Sequence, residues 1–445
     1  MAAGRANRSA TASPTGADRD NPGAPRPGHA ATRARPAAGF PIASSLPGGL
    51  PAPQGREERD WRASPICVCG TDRHRPAPDA EECLLPANLT LPGWVSSPGI
   101  TPSRTFRKGP NMSTILSFPI EGKPWPTVTV ESVGAFHEEL LQAVGVLTTE
   151  SSTDPVRFVR QAHLATRRLL PIELHELALD FEYHGNGALL FTDLSVGPIP
   201  ATPASPREVP TADTVLGKQA AVLVSLFGRL VGYRPESGGA LIQNVLPTKA
   251  DQHRQTSTGS RDELESHTEQ CMNTRTRPDY IALACLRGDP NAATFLLSAR
   301  EIQAALPAEA ITLLRESRYF TGVDASFVDG GVSDEVRGPM PVLSGSPTDP
   351  SISYDQDMMF SPSPVHQRAL DLITDIWRAH RHSVTLTPGE LLIVDNSRAI
   401  HGRSAFRPQF DGGDRWLLRL QVLTNYPDSR FARKPGSPII EPHGI

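Results

Sequence analysis

The sequence lacks the features of a membrane protein, a secreted protein or a nucleic-acid-binding protein. It has no apolar run approaching the ~18 residues of a membrane-spanning helix. No apolar segment follows the arginines near its start, as a secretory signal requires. The formal net charge is only −4 over 445 residues, so neither nucleic acid nor a membrane surface is expected as a partner.

Cysteine is scarce, and its number is odd. A chain of this length with five cysteines is not expected to be held by a disulfide framework. Cys67 and Cys69 are too close together for the usual zinc-binding pair, and no second pair follows them. The sequence therefore predicts a reduced, cytoplasmic protein.

Residues 1–111 differ in composition from the rest of the chain. They are dense in Pro, Gly, Ala, Ser and Arg and poor in periodic apolar residues. Such a segment cannot bury enough apolar surface to offset its ordering entropy, so we expect it to be disordered. Either the start codon is assigned too early and the protein begins at Met112, or the segment is a genuine regulatory or linker tail. Residues 112–445 are expected to form one catalytic domain with a sizeable core.

The hydrophobic pattern of the expected domain begins with helices and continues with short strands. Apolar residues at helical spacing predict helices over 130–147, 156–170, 212–231 and 365–380. Strand-like patterns cover 187–196, 240–246, 279–286, 383–386, 390–394 and 416–424. This order indicates an α+β domain whose core is an antiparallel sandwich or barrel.

A candidate metal site begins at the triplet His267-Thr268-Glu269. If the triplet lies on a strand, the imidazole and the carboxylate point to the same face and converge. His401 follows the apolar strand at 390–394 and fits as a second histidine. Two histidines and one carboxylate form the facial triad that leaves open positions on iron(II). Other histidines compete for this role: His253, His366, His380 and His382.

Two arginines after His401 offer an anchor for an acidic co-substrate. Arg415 and Arg419 are four residues apart and share one face of a predicted strand. The planar guanidinium of arginine takes a carboxylate through two parallel hydrogen bonds. From the residues alone, an ordinary ion pair of an arginine with Asp411 or Asp414 is the alternative.

Residues 240–425 resemble the clavaminate synthase-like branch of the 2-oxoglutarate-dependent oxygenases, and within it the free-arginine β-hydroxylases of peptide-antibiotic biosynthesis. The matching stretches occur in family order: NVLPTK (244–249), RDELESHTE (261–269), RPDYI (277–281), GELLIVDN (389–396), HGRSAF (401–406) and FDGGDRWLL (410–418). Weaker similarity reaches back to about residue 113. The resemblance implies a double-stranded β-helix (jelly-roll) core with flanking helices, and Fe(II), 2-oxoglutarate and O2 as cofactor and co-substrates.

The resemblance also implies roles for the residues around the metal. His267, Glu269 and His401 would be the iron ligands. Arg415 would hold the distal carboxylate of 2-oxoglutarate, and Thr294 would be its hydroxyl partner.

Four further residues would bind the substrate. By resemblance, Arg419 would take the α-carboxylate and Glu236 the α-amine. Asp324 and Asp355 stand 31 residues apart, the spacing of the family's guanidinium-binding pair. A guanidinium is permanently charged, so a closed pocket must supply opposing charge. From the residues alone, the favoured interpretation is that both are ordinary aspartates at the edges of loops.

The resemblance implies hydroxylation of a free basic amino acid, with L-arginine at Cβ as the first candidate. Decarboxylation of 2-oxoglutarate to succinate would accompany transfer of the hydroxyl group. Lysine, ornithine, citrulline or an arginine derivative as substrate, a desaturase or cyclase reaction, and a metal-binding barrel without catalysis are the alternatives. The segment at about 325–354 has the Gly-rich, charged composition of a mobile lid, or else of a surface insertion.

Overall fold

The computed structural model describes residues 127–207, 213–273 and 275–445. The predictions about residues 1–111, and about the boundary at residue 112, lie outside these ranges. Within them, no helix is both long enough and apolar enough to cross a membrane.

Helices come before the sheets and also lie between the strands. Two of them begin with a proline in the first turn, where its missing N–H costs nothing. The helices of the described residues are α1 (His137–Gly145), α2 (Pro155–Leu169), α3 (Ile172–His184), α4 (Val215–Val224), α5 (Ala299–Ala305), α6 (Ala308–Leu314), α7 (Ala325–Asp329) and α8 (Pro364–His380).

The strands are short, and most of them pair antiparallel. In chain order they are β1 (Val128–Ser132), β2 (Ala188–Thr192), β3 (Arg229–Tyr233), β4 (Gln243–Val245), β5 (Leu264–His267), β6 (Tyr280–Arg287), β7 (Thr294–Ser298), β8 (Tyr319–Thr321), β9 (Arg337–Met340), β10 (Leu343–Gly345), β11 (Pro350–Ile352), β12 (Met359–Phe360), β13 (His382–Val384), β14 (Leu391–Asp395), β15 (Ala399–Arg403), β16 (Trp416–Leu423) and β17 (Ile439–Ile440). Parallel pairing occurs between β1 and β2 and between β17 and β3.

Two sheets form the centre of the fold. The larger has eight strands in the order β1-β2-β14-β6-β16-β3-β17, with β4 also paired to β16. The smaller has four strands in the order β13-β7-β15-β5. Smaller sheets join β12, β8 and β9, and β10 and β11. The fold is therefore α+β with mixed sheets.

Apolar side chains on both faces of the sheets bind the layers together. In β2, Leu189 and Phe191 pack into a cluster that includes residues of α1–α4, whereas Ala188 and Leu190 pack with residues of the four-stranded sheet. In β7, Leu296 faces the larger sheet and Leu297 packs into a cluster with α5, α6 and α8. Because neighbouring residues of a strand point to opposite faces, each sheet is covered by helices on one side and by the other sheet on its second side.

The structure agrees with some of the predicted elements and corrects others. The helices predicted over 156–170 and 365–380 are confirmed within a residue as α2 and α8. The single helix predicted over 212–231 is wrong, because α4 ends at Val224 and β3 follows. Gly228 separates them, and any side chain there would lie 2.4 Å from the backbone oxygen of Leu423. The helix predicted over 130–147 is likewise a strand, β1, followed by α1.

The predicted lid segment contains regular structure. Residues 325–354 include α7 and the strands β9, β10 and β11. Of these elements, α7 lines the cavity described below. Arg254, from the loop after β4, forms an ion pair of 3.2 Å with Asp329 at the end of α7. Movement of this segment remains a prediction.

Candidate active site

The structure brings the three predicted metal ligands together. His267 is the last residue of β5, and His401 lies directly opposite it on the neighbouring strand β15. The centroids of the two imidazole rings are 4.5 Å apart. Nε2 of His401 lies 3.9 Å from Oε1 of Glu269. One ligand atom from each of the three residues lies within 4.8 Å of the others, a spacing at which one ion can contact all three.

The protonation of these groups suits a divalent cation. Burial, helped by the neighbouring His267, lowers the pKa of His401 to about 3, so this imidazole is neutral. Nδ1 of His267 lies 2.8 Å from the carbonyl oxygen of Glu265 and donates to it, which leaves Nε2 as an electron-pair donor. Burial acts to raise the pKa of Glu269, but the attraction of neighbouring positive charge, Arg419 foremost, outweighs it, and the pKa is lowered. Neutral imidazoles and an anionic carboxylate are the forms that bind a metal.

Glu269 is held by a side-chain clamp rather than by sheet pairing. The expected convergence of His267 and Glu269 depends on the triplet lying on a strand, but β5 ends at His267 and Glu269 lies in the following turn. The buried amide of Asn396 accepts from the backbone N–H of Glu269 at 2.9 Å and donates to its carbonyl at 3.1 Å. The same amide donates to the carbonyl of Pro278 at 2.8 Å. Sequence reasoning gave Asn396 no role, although it lies in the GELLIVDN stretch.

One end of the site carries a buried arginine that has no ion-pair partner among the described residues. Arg415 is 6% exposed and forms no hydrogen bond or ion pair with any described residue. The alternative that it pairs with Asp414 or Asp411 is wrong, because these carboxylates accept from backbone N–H groups of their own loop. Burial lowers the pKa of Arg415 to about 10. The buried Thr294 at the start of β7 lines the same cavity.

Arg419 lies at the centre of a buried polar network. It donates to Oε1 of Glu269 at 2.9 Å and also to Glu236. Its Nε and Nη2 both donate to Oε1 of Gln243, at 3.0 and 2.7 Å, because β4 and β16 place the two residues directly opposite. Burial raises the pKa of Glu236, an effect that Arg419 opposes. Arg419 and Glu236 are thus neighbours, as the sequence predicts, and Gln243 is a partner it did not identify.

The opposite charge is found at Asp324 and Asp355. Asp355 is 6% exposed, and its Oδ1 accepts from the backbone N–H groups of Asp357 and Met358 at 3.0 and 2.7 Å. The backbone of Asp355 forms an isolated antiparallel β-bridge with the backbone of His267. Asp324 makes no side-chain hydrogen bond at the start of α7. Burial and the adjacent Asp355 raise the pKa of Asp324 to about 7. Neither carboxylate has a cationic partner among the described residues.

The three metal ligands, Arg415, Arg419 and the acidic residues Glu236, Asp324 and Asp355 line one cavity of about 1150 Å³. Every site residue predicted from the sequence lines it: Glu236, His267, Glu269, Thr294, Asp324, Asp355, His401, Arg415 and Arg419. The wall also includes residues to which the sequence assigned no role, among them Arg403, Glu265 and Asp357.

The chain is similar in sequence to known dioxygenases and amino acid hydroxylases. Residues 173–421 match the family model described as taurine catabolism dioxygenase TauD, TfdA family. L-lysine 3-hydroxylase of Catenulispora acidiphila is 40% identical over 282 residues, covering 62% of this chain and 78% of the relative. Clavaminate synthase 2 of Streptomyces clavuligerus is 30% identical over 299 residues, covering 65% of this chain and 90% of the relative.

Solved structures show a similar fold. The non-heme iron oxygenase OrfP in complex with Fe, succinate and (3S)-hydroxy-L-Arg superimposes with a TM-score of 0.62 and 25% sequence identity. The similarity covers 70% of this chain and 99% of that one.

Proposed function

The chain belongs to the TauD/TfdA family of dioxygenases, and on that basis we propose that it is an iron(II)- and 2-oxoglutarate-dependent hydroxylase of a free basic amino acid. The observation that carries the substrate class is the pair formed by the buried Asp355 and the half-buried Asp324, with no cationic partner among the described residues. The resemblance to arginine β-hydroxylases and the similarity to L-lysine 3-hydroxylase support attack at Cβ. The place in peptide-antibiotic metabolism implied by the resemblance remains a prediction.

The two packed sheets are proposed to be the double-stranded β-helix of this enzyme class. Their mostly antiparallel strands and the shared apolar layer between them support this assignment. In such an arrangement the interior end of the sandwich holds the ligands on adjacent strands, as β5 and β15 do here. The flanking helices cover the outer faces and leave the cavity open between the sheets.

His267, Glu269 and His401 are proposed to hold the iron. When bound, the iron supplies the activation of O2 that accompanies decarboxylation of 2-oxoglutarate. The protein contributes position and charge: neutral imidazoles, one carboxylate, and open positions for a chelating co-substrate. Arg415 is the proposed partner of the distal carboxylate of 2-oxoglutarate, together with the hydroxyl group of Thr294.

The α-amino and α-carboxylate groups of the substrate are proposed to bind at Glu236 and Arg419. In the structure these two side chains neutralise each other, which offsets the cost of burying two charges without substrate. An amino acid zwitterion carries the same two charges in reverse and can replace this ion pair with two ion pairs of its own. Gln243 holds the guanidinium of Arg419 in place through two hydrogen bonds.

The distal group of the substrate is proposed to be a cation bound by Asp324 and Asp355. Two carboxylates that face one cavity, one buried and one half-buried, repel each other, and a bound ammonium or guanidinium group relieves this repulsion. A neutral side chain cannot do so. The electrostatics of the empty pocket therefore favour lysine, arginine or ornithine over amino acids with uncharged side chains.

L-lysine is the first candidate among these, and arginine is the second. The 40% identity to L-lysine 3-hydroxylase supports lysine. The likeness to the OrfP complex with (3S)-hydroxy-L-Arg supports arginine, the first candidate from the sequence. Two converging carboxylates suit the planar fork of a guanidinium as well as the point charge of an ammonium.

The test is a competition among lysine, arginine, ornithine and citrulline in the presence of iron(II), 2-oxoglutarate and O2. Succinate release and product mass report coupled turnover, and NMR of the product gives the position of the hydroxyl group. Norleucine is the matched control for lysine, because it has the same carbon chain without the ammonium group. The His401→Ala variant controls for chemistry that does not depend on the metal site.

A preference for lysine or arginine with hydroxylation at Cβ supports the proposal. Equal turnover of lysine and norleucine would show that the aspartates do not select a cation. Coupled turnover by the His401→Ala variant would show that the proposed metal ligands are wrong.

A further inference from the structure

We infer that Arg403 is a second binding residue for the distal carboxylate of 2-oxoglutarate, beside Arg415. The inference rests on the proposed use of 2-oxoglutarate but not on the identity of the amino acid. It concerns the end of the cavity formed by the start of β7, the end of β15 and the start of β16.

The strand register places Arg403 next to the proposed co-substrate residues. In the pairing of β15 with β7, Arg403 lies directly opposite Thr294. Side chains opposite each other on antiparallel strands share one face, with their Cβ atoms ~4.5–5.5 Å apart. Arg403 is also two residues after His401 on β15, so both side chains point to the side of the sheet that carries the metal ligands. Any anion that contacts the hydroxyl group of Thr294 is therefore within reach of Arg403.

Arg403 and Arg415 form a buried pair of like charges around one aromatic ring. Their Cζ atoms lie 5.3 and 6.0 Å from the centroid of the Phe406 ring. Both side chains line the cavity, with exposed fractions of 5% and 6%. Because both guanidinium groups are buried, water screens the repulsion between their charges only weakly.

Among the described residues, no carboxylate forms an ion pair or hydrogen bond with Arg403 or Arg415. Among the described residues, the guanidinium of Arg403 donates only to two backbone carbonyls, those of Ser404 and Asp262, each at 3.2 Å. These bonds use Nε and Nη2 and leave Nη1 without a partner. Burying charge without an opposing charge is costly, so this end of the cavity is built for an anionic ligand.

A carboxylate has enough acceptor sites to use both arginines. It offers about four lone-pair positions, of which one arginine fork fills two. The remaining positions suit the hydroxyl group of Thr294 and the Nη1 of Arg403. Two guanidinium groups, rather than one, increase the preference of the site for a dicarboxylate over a 2-oxo acid that has an uncharged tail.

The experiment measures binding rather than turnover, in the absence of O2 and of amino acid. Titration calorimetry of the Mn(II)-loaded enzyme gives the affinity for 2-oxoglutarate and for 2-oxopentanoate, which has a methyl group in place of the distal carboxylate. The variants are Arg403→Met, which removes the charge, and Arg403→Lys, which keeps it without the fork. The matched control is Arg407→Met, because Arg407 is an exposed arginine in the same segment.

Arg403→Met is expected to weaken 2-oxoglutarate binding by at least about tenfold, the usual effect of losing a hydrogen bond to a charged group. Binding of 2-oxopentanoate should change little, Arg403→Lys should fall between, and Arg407→Met should match wild type. Unchanged 2-oxoglutarate affinity in Arg403→Met, or equal loss for both ligands, overturns the inference. If wild type itself binds no 2-oxoglutarate, the proposed function fails instead. Unchanged Mn(II) affinity and melting temperature identify a correctly folded variant.

Discussion

Replacing Asn396 with alanine should weaken metal binding by more than its effect on folding explains. The amide of Asn396 satisfies the backbone N–H and carbonyl of Glu269 and the carbonyl of Pro278. Leaving a buried polar group without a partner costs ~1–3 kcal/mol, so three such groups give a loss of at least about 3 kcal/mol in the free energy of unfolding.

The effect on the metal follows from the backbone around Glu269. The next residue, Gln270, has a φ of 53°, in a region that residues other than glycine rarely adopt. Without the clamp, the chain at Glu269 can relax from this turn and carry the carboxylate away from His267 and His401. Loss of groups that orient a metal ligand typically reduces metal affinity ~10–100-fold, and we expect Asn396→Ala to fall in that range.

Gln219 provides a matched control. Its fully buried amide forms the same kind of clamp, accepting from the backbone N–H of Ser195 at 3.2 Å and donating to its carbonyl at 2.6 Å. Gln219 lies on α4, and neither Gln219 nor Ser195 lines the cavity. Gln219→Ala should therefore lower stability without changing metal affinity.

The assay combines calorimetric unfolding with Mn(II) titration of both alanine variants. Asn396→Asp is an additional variant, because it keeps the acceptor for the N–H of Glu269 and loses the donor. It should bind metal with an affinity between those of wild type and Asn396→Ala. Equal metal affinities for Asn396→Ala and Gln219→Ala would refute the argument, since the clamp would then matter only for folding.

Three other predictions concern the ligands. Arg415→Ala should chiefly raise the KM for 2-oxoglutarate and Arg419→Ala that for the amino acid; steady-state kinetics with each substrate varied would show the reverse pattern if the two roles are exchanged. Asp355→Ala should raise the KM for the basic amino acid at least about thirtyfold, taking ~2 kcal/mol as the lower bound for breaking a buried charge pair; an unchanged value would remove Asp355 from the substrate site. Because the pKa of Asp324 is raised to about 7, its carboxyl gains charge as pH rises through about 7, so affinity for the cationic substrate should rise there too. Calorimetric binding across this range should show the rise in wild type and not in Asp324→Asn.

The sequence predicts the chemistry of the site better than its geometry. Imidazole, carboxylate and guanidinium groups bind the same kinds of ligand in any fold, so the residue types alone indicate metal and carboxylate binding. The order of the matching stretches indicates that His401 is the second histidine of the metal site. All nine predicted residues line one cavity. Arg403 and Gln243 were not predicted as site residues, because their positions depend on strand register. Thr294 opposite Arg403 and Gln243 opposite Arg419 are pairings that no local pattern encodes.

The predicted boundaries of the helix over 212–231 are wrong for a related reason, because they also depend on contacts between distant parts of the chain. The residues of α4 and β3 read as one apolar stretch with helical spacing, and the break between them is set by tertiary contact. Val222, Leu223 and Val224 are buried in the helical layer, whereas Leu230 and Val231 pair with β16. The close approach of the backbone of Leu423 to Gly228 separates these two environments, and it comes from a strand nearly 200 residues away.

The unpaired charges of the cavity also affect how products leave. In the proposed reaction, a dianion becomes another dianion, succinate, and the amino acid keeps its distal cation. The arginines and aspartates that favour entry therefore favour retention equally, and nothing in the charge pattern expels the products. Release then depends on opening of the cavity, and turnover should slow as succinate accumulates. Added succinate should compete with 2-oxoglutarate at concentrations where acetate, with a single carboxylate, has no effect.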